Sequence, residues 1–267
     1  MSPRLPPLAV RWIVPVVLAL GATTPARAED PRLRPAYDLR TDLEVTALAA
    51  GGSLALLGLK GDLAPLRCRW CGPPAFDADV TRALGWSNRD AASTTSNVLE
   101  VALGAGVLGN ALLEGYRAGD PEAGLVNVLL ITEATSIALL LDTGVKYAVG
   151  RSRPYVWLSG SATDTRDGNL SFFSGHATFA FAVAASSSTL LFEQRAPGAG
   201  IASAAAFGVA GFIGYLRIAA DAHYLSDVLA GAAVGSLVGW AVPHFFHPSQ
   251  DGAVQLRPAP GGVAITW

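Results

Sequence analysis

The sequence predicts an all-α protein: a membrane-embedded bundle of about six apolar helices, with an active site at one end of the bundle. Three observations predict it. Hydrophobic residues fill 51% of the 267 positions and charged residues only 15%, against roughly 25% charged in an ordinary soluble domain. Mean hydropathy is +0.38. The apolar residues fall in runs rich in Ala, Leu and Gly that are too long for strands, and the polar residues cluster at the ends of those runs. The same composition excludes other classes. The chain is too apolar for disorder. A net charge of −2 without a basic run excludes a nucleic-acid binder. Two cysteines are too few for a disulfide scaffold.

The N-terminus comes first. Arg4 and Arg11 precede an apolar stretch from Trp12 to Gly21, and Ala26-Arg27-Ala28 follows. This is the pattern of an export signal over residues 1–28. It delivers the chain to the far side of a membrane, most simply a bacterial periplasm; an uncleaved anchor would do the same. Residues 29–93 form an N-terminal region with one apolar helix at 45–59. At 15 residues that segment gives about 22 Å of helix against roughly 30 Å of hydrocarbon, so it is expected not to cross. Cys68-Arg-Trp-Cys71 follows in a Gly- and Pro-rich stretch. A zinc site needs about four ligands and a redox motif needs a βαβ setting. A short-loop disulfide in an oxidising compartment is expected instead.

Residues 94–247 form the helical core. Its apolar segments are 101–113, bordered by Glu100; 125–141, interrupted by Glu133; 177–192; 198–216; and 228–246. The last two hold no Asp, Glu, Lys or Arg over 19 residues each, close to the roughly 20 needed to span a bilayer. Their small residues, Ser203-Ala-Ala-Ala206 with Ala210-Gly211 and Gly231-Ala-Ala233 with Gly235, suit close helix contact in lipid; a soluble Ala-rich bundle is the alternative. The tail, residues 248–267, offers a small hairpin around Pro258-Ala-Pro-Gly-Gly or a disordered end.

Three polar clusters carry the chemistry. They are Lys146-Tyr-Ala-Val-Gly-Arg151-Ser-Arg153-Pro154, Ser171-Phe-Phe-Ser174-Gly175-His176, and Arg217-Ile-Ala-Ala-Asp221-Ala-His223-Tyr-Leu-Ser-Asp227. Antiparallel helices bring all three to one end. Lys146, Arg153 and Arg217 then converge without enough acids to pair them, an arrangement suited to phosphate. Ser174 and Gly175 open a helix whose N–H groups can donate to the same anion. His223 and Asp227 are spaced i,i+4, so Asp227 is expected to bond one imidazole nitrogen and free the other as nucleophile or base. His176 stands at a helix mouth, placed as a general acid.

The order Lys146, six residues, Arg153-Pro154; Ser174-Gly175-His176; Arg217, five residues, His223, three residues, Asp227 resembles the three-part signature of the type 2 phosphatidic acid phosphatases. That superfamily also holds bacterial acid phosphatases and vanadium haloperoxidases. Phe173 stands where the family usually has Pro, and Leu216 where it usually has Ser. The resemblance implies that His223 attacks phosphorus to form a phosphohistidine, that Asp227 orients it, and that His176 protonates the leaving group and then activates water. Lys146, Arg153, Arg217, Ser174 and the Gly175 N–H would hold the phosphoryl oxygens, with no metal and no cofactor. Vanadate would act as an inhibitor. The implied partners are a membrane and a lipid phosphate or small phosphate ester. The alternatives are a soluble periplasmic acid phosphatase, a haloperoxidase using vanadate as cofactor, and a non-enzymatic membrane scaffold. The resemblance further implies a site facing the periplasm from the bacterial inner membrane, which, behind an exporting leader, requires an even number of crossings before it.

Overall fold

The computed structural model describes residues 33–160, 166–249, 255–259 and 262–266; the leader of residues 1–28 lies outside the described residues. In chain order the helices are α1 (Leu39–Gly58), α2 (Lys60–Leu63), α3 (Ala75–Leu84), α4 (Arg89–Arg117), α5 (Pro121–Val149), α6 (Pro154–Ser159), α7 (Gly175–Glu193), α8 (Ala199–Ala219) and α9 (Leu225–Ala241). A 3-10 turn, Arg166–Asn169, precedes α7, and a π-helical turn, Val242–Phe246, extends α9. Six of these helices are long, matching the six apolar segments. Their starts follow from side-chain capping: Asp38, Asn88, Asp120 and Ser174 accept from the backbone N–H groups of Thr41, Ala91, Ala123 and Ala177. Pro121 and Pro154 occupy first-turn positions, where a missing N–H costs nothing. Gly150 ends α5 at φ +60°, the left-handed conformation that favours glycine.

Helix α7 is the centre of the bundle and packs against α4, α5, α8 and α9. The core combines Leu99, Leu103 and Val107 of α4, Leu130 and Ile131 of α5, Val183 of α7, and Ile213 and Leu216 of α8. Helices α7 and α9 touch backbone to backbone along a glycine seam. A Cβ on Gly231 would lie 2.7 Å from the Ser174 carbonyl oxygen; on Gly235, 2.4 Å from that of Thr178; on Gly239, 2.5 Å from that of Ala182. The small-residue pattern of the sequence is thus a contact surface, as expected in lipid.

The outer surface is apolar. Leu48, Val101, Leu125, Ile201, Leu229 and Leu237 all point outward and exposed, the reverse of a water-soluble surface. Among the described residues, five helices are long and apolar enough to cross a membrane: α4, α5, α7, α8 and α9 with its π turn.

Helix α1 is longer than the apolar run predicts. The segment at 45–59 belongs to a 20-residue helix that packs along α5. Ahead of its start, Arg34 pairs with Asp120 and the Tyr37 hydroxyl donates to Glu122, both at the α4–α5 turn. At its far end Leu56 accepts from the Tyr147 hydroxyl, and Lys60 pairs with Asp167. Helix α1 therefore runs from the far end of the bundle to the polar end, parallel to α5. Its exposed Leu43, Leu48, Leu54 and Leu57 continue the apolar girdle.

Cys68 and Cys71 form the expected disulfide, at the polar end: the N–H of Arg69 donates to Gly150 O, and Trp70 bridges to Arg151. The tail forms an antiparallel hairpin, β1 (Gln255–Ala259) and β2 (Gly262–Thr266), with Ala259 opposite Gly262.

The seam predicts the outcome of one substitution. Gly235→Leu must separate α7 from α9 and should cost at least about 1–3 kcal/mol, read as a lower Tm in detergent. Gly200→Ala, in α8 with nothing within 4 Å of the new Cβ, should leave Tm unchanged or raise it.

Candidate active site

The polar end is organised around one buried guanidinium. Arg151 follows the α5 cap and is 1% exposed. Its Nη2 donates to Asp77 Oδ2 of α3 at 2.7 Å, and its Nη1 donates to Asp227 Oδ1 and to Ser226 Oγ of α9. The rings of Trp70 and Tyr224 lie 3.8 and 4.3 Å from its Cζ on either hand. Asp77 also accepts from the N–H and hydroxyl of Ser226. Asp227 is fully satisfied: its Oδ2 accepts from Ser171 Oγ and from the Tyr224 N–H.

This frame fixes the loop holding His223. That residue is 2% exposed and lies before α9 begins at Leu225. Its Nδ1 is 2.8 Å from the Ser171 carbonyl oxygen. A carbonyl can only accept, so Nδ1 carries the proton and Nε2 carries the lone pair. Nε2 faces Arg153 Nη1 at 3.3 Å. The expected direct bond from Asp227 is absent: its Oδ2 lies 3.9 Å from Nδ1, outside hydrogen-bond range. Asp227 positions His223 through Ser171, whose hydroxyl it holds and whose carbonyl takes the imidazole proton. Burial, then the charges of Arg153, Lys146 and Arg217, holds the His223 pKa well below 6.5.

The cations come from three elements. Arg153 precedes α6 and is braced by the carbonyls of Asp167 and Ala222. Arg217 ends α8, and its Nη1 donates to the hydroxyls of Ser96 and Ser93 on α4. Lys146, in the last turn of α5, donates to Asp142 Oδ2 at 2.6 Å. The cations are therefore not unopposed, as the sequence suggested: Asp142, one turn before Lys146, is its counter-ion. Gly175 is needed at this point, because a Cβ there would stand 2.8 Å from Lys146 Nζ.

Ser174 caps α7, is fully buried, and donates its N–H to the Asp227 carbonyl. His176, in the first turn of α7, has its Nε2 2.8 Å from Asn97 Oδ1 and 3.2 Å from Glu100 Oε2. Asn97 and Glu100, both on α4, thus hold the ring. Lys146, Arg153, Asp142 and His176 line one cavity of about 520 Å³, which continues along α1 and α5 past Leu54, Leu57 and Leu139.

The structure brings together Lys146, Arg153, Gly175, His176, Arg217 and His223, as their spacing predicted. It adds Arg151, Asp77, Asp142, Asn97, Glu100 and Ser171. Of these, Arg151 stood inside the first polar cluster, Ser171 opened the second, Glu100 bordered an apolar segment and Asp142 lay at i−4 from Lys146; Asp77 and Asn97 gave no local signal.

The PAP2 superfamily model matches residues 123–251, which contain every one of the signature residues. Lipid A 1-phosphatase of Porphyromonas gingivalis is 39% identical over 113 residues, 42% of this chain and 22% of that protein. The chain thus matches about a fifth of the relative's length. The crystal structure of a transmembrane PAP2 type phosphatidylglycerolphosphate phosphatase from Bacillus subtilis aligns over 76% of this chain and 91% of that one, at 20% identity and a TM-score of 0.38. The signature residues gathered at one end of the bundle all fall within the stretch that the PAP2 superfamily model matches.

Proposed function

We propose that the chain is a phosphatase acting on membrane lipid phosphates through a phosphohistidine at His223. The observation that carries this reading is the cavity. Its end is cationic and its wall along α1 and α5 is aliphatic, so one ligand with a phosphate head and acyl chains satisfies both. The lipid phosphate in the name of the Porphyromonas gingivalis relative supports the same substrate class.

The chemistry follows from the geometry. The Nε2 lone pair of His223 attacks phosphorus, and the bond from phosphorus to the lipid oxygen breaks. His176 gives its proton to that oxygen as the lipid alcohol leaves. Water then attacks the phosphohistidine and loses a proton to His176; the P–N bond breaks and inorganic phosphate departs. Lys146, Arg153 and Arg217 stabilise charge on the phosphoryl oxygens throughout, as preorganised cations do in phosphoryl transfer. An incoming phosphate takes Arg153 away from Nε2, releasing the lone pair for attack.

The same reading places the site on the periplasmic face. The Cys68–Cys71 disulfide lies at the polar end, and disulfides persist in oxidising compartments.

Three measurements test these statements. His223→Ala should abolish phosphate release from a lipid phosphate in detergent with EDTA present, while His176→Ala should slow turnover by roughly 10²–10⁴-fold with binding retained; more than a few per cent of activity in His223→Ala refutes the mechanism. The acid limb of kcat/KM should lie below pH 6.5, because the depressed pKa keeps His223 unprotonated until then. Arg153→Gln removes one cation and should move that limb to higher pH. Finally, Gly61→Cys, at the polar end, should react with an impermeant maleimide in intact spheroplasts, and Ala118→Cys, at the α4–α5 turn, only after lysis. The reverse pattern would place the active site inside.

A further inference from the structure

A second group of buried chemistry lies far from the catalytic residues. Asp42 in the first turn of α1, Glu133 of α5 and His247 just past the π turn are 5%, 5% and 3% exposed. Their ligand atoms lie within 4.8 Å of one another. Glu133 stands 13 residues before Lys146 on the same helix, about 20 Å along its axis, so the proposed phosphatase chemistry does not use it. The fold assembles this cluster from positions 42, 133 and 247, which no local spacing connects.

The hydrogen bonds show which atoms face inward. His247 Nδ1 is 3.0 Å from the Ala36 carbonyl oxygen, so Nδ1 is the donor and Nε2 is the atom that faces the two carboxylates. Nε2 stands 3.6 Å from Glu133 Oε2, and both atoms are buried with no hydrogen-bond partner among the described residues. Two carboxylates held this close out of water need positive charge between them, from a bound cation or from an imidazolium. The Nε2–Oε2 separation is too long for a hydrogen bond. It is close to the ~3.4 Å between two ligands of a tetrahedral ion with bonds of about 2.0–2.2 Å. The remaining contacts are those that orient ligands: a backbone carbonyl on the far imidazole nitrogen, and the Asp38 N–H on Asp42 Oδ2 at 2.9 Å.

We propose that Asp42, Glu133 and His247 bind a divalent transition-metal ion, for which Zn²⁺ is the best match to one imidazole and two carboxylates. Water or Thr46 Oγ1 completes the tetrahedron; Thr46 is one turn on from Asp42, and its hydroxyl is buried without a partner. The ion ties the start of α1 and the exit of α9 to α5. Because the later turns of α1 form the aliphatic wall of the catalytic cavity, the ion fixes the helix against which the substrate lies. Its role is structural.

The test uses the full chain in detergent, stripped with a chelator, desalted and titrated with Zn²⁺. Elemental analysis should find one zinc per chain after a second desalting. Saturation should raise Tm by about 5–10 °C, and Co²⁺ in place of Zn²⁺ should give the visible absorption of a tetrahedral site. Glu133→Gln, which keeps the shape of the side chain, and His247→Ala should each lose the bound ion and the Tm shift. A wild-type protein that retains no zinc would overturn the proposal and leave an imidazolium between two carboxylates. Equal zinc uptake and Tm shift in both variants would overturn it as well.

Discussion

The architecture of the catalytic end depends on Arg151 and the two carboxylates it holds apart. Burying a guanidinium is costly unless its charge and its donors are matched. Here Asp77 and Asp227 supply the charge, Ser226 a further acceptor, and Trp70 and Tyr224 close both faces. The planar fork matters: it reaches two carboxylates at once while presenting flat faces to the rings, which an ammonium cannot do. Through this one side chain, α3, the disulfide loop, the α5–α6 connection and the start of α9 become a single unit. Asp227, Ser171 and then His223 take their places from it.

The fold was largely legible from the sequence because its signals are local. Apolar run length located the six helices and Ser174 marked the start of α7; the caps Asp38, Asn88 and Asp120, which set other helix starts, lie outside the apolar runs. The signature residues were legible because three short windows contain all of them. What stayed hidden was the support. Asp77 and Arg151 are 74 residues apart, and no periodicity connects them. The i,i+4 reading of His223 and Asp227 failed for a definite reason: His223 precedes the helix, so the helical spacing does not apply, and a backbone carbonyl takes the bond assigned to a carboxylate. Helix α1 was misjudged on length, because its first two turns, from Leu39, carry Asp42 and Glu44 and read as polar. In the fold Asp42 turns inward and is buried.

Each of the three cations already has partnered donors. Lys146 rests on Asp142, Arg217 on two serine hydroxyls, and Arg153 on two carbonyls and the imidazole itself. Under the proposed function, a phosphate dianion would enter a set of donors already aimed and loosely occupied. The reorganisation needed is an exchange of partners, which is how preorganised sites avoid the cost of turning solvent dipoles.

The glycine seam has a consequence for divergence. His223 stands just before α9 and His176 at the mouth of α7, and those helices meet through main-chain atoms at Gly231, Gly235 and Gly239. The spacing between the two histidines is thus largely a property of the polypeptide backbone. Side chains on the outer faces can drift to suit a thicker, thinner or differently charged bilayer without retuning the catalytic distance. A lineage could therefore change its membrane many times over while the three glycines held the reaction geometry constant.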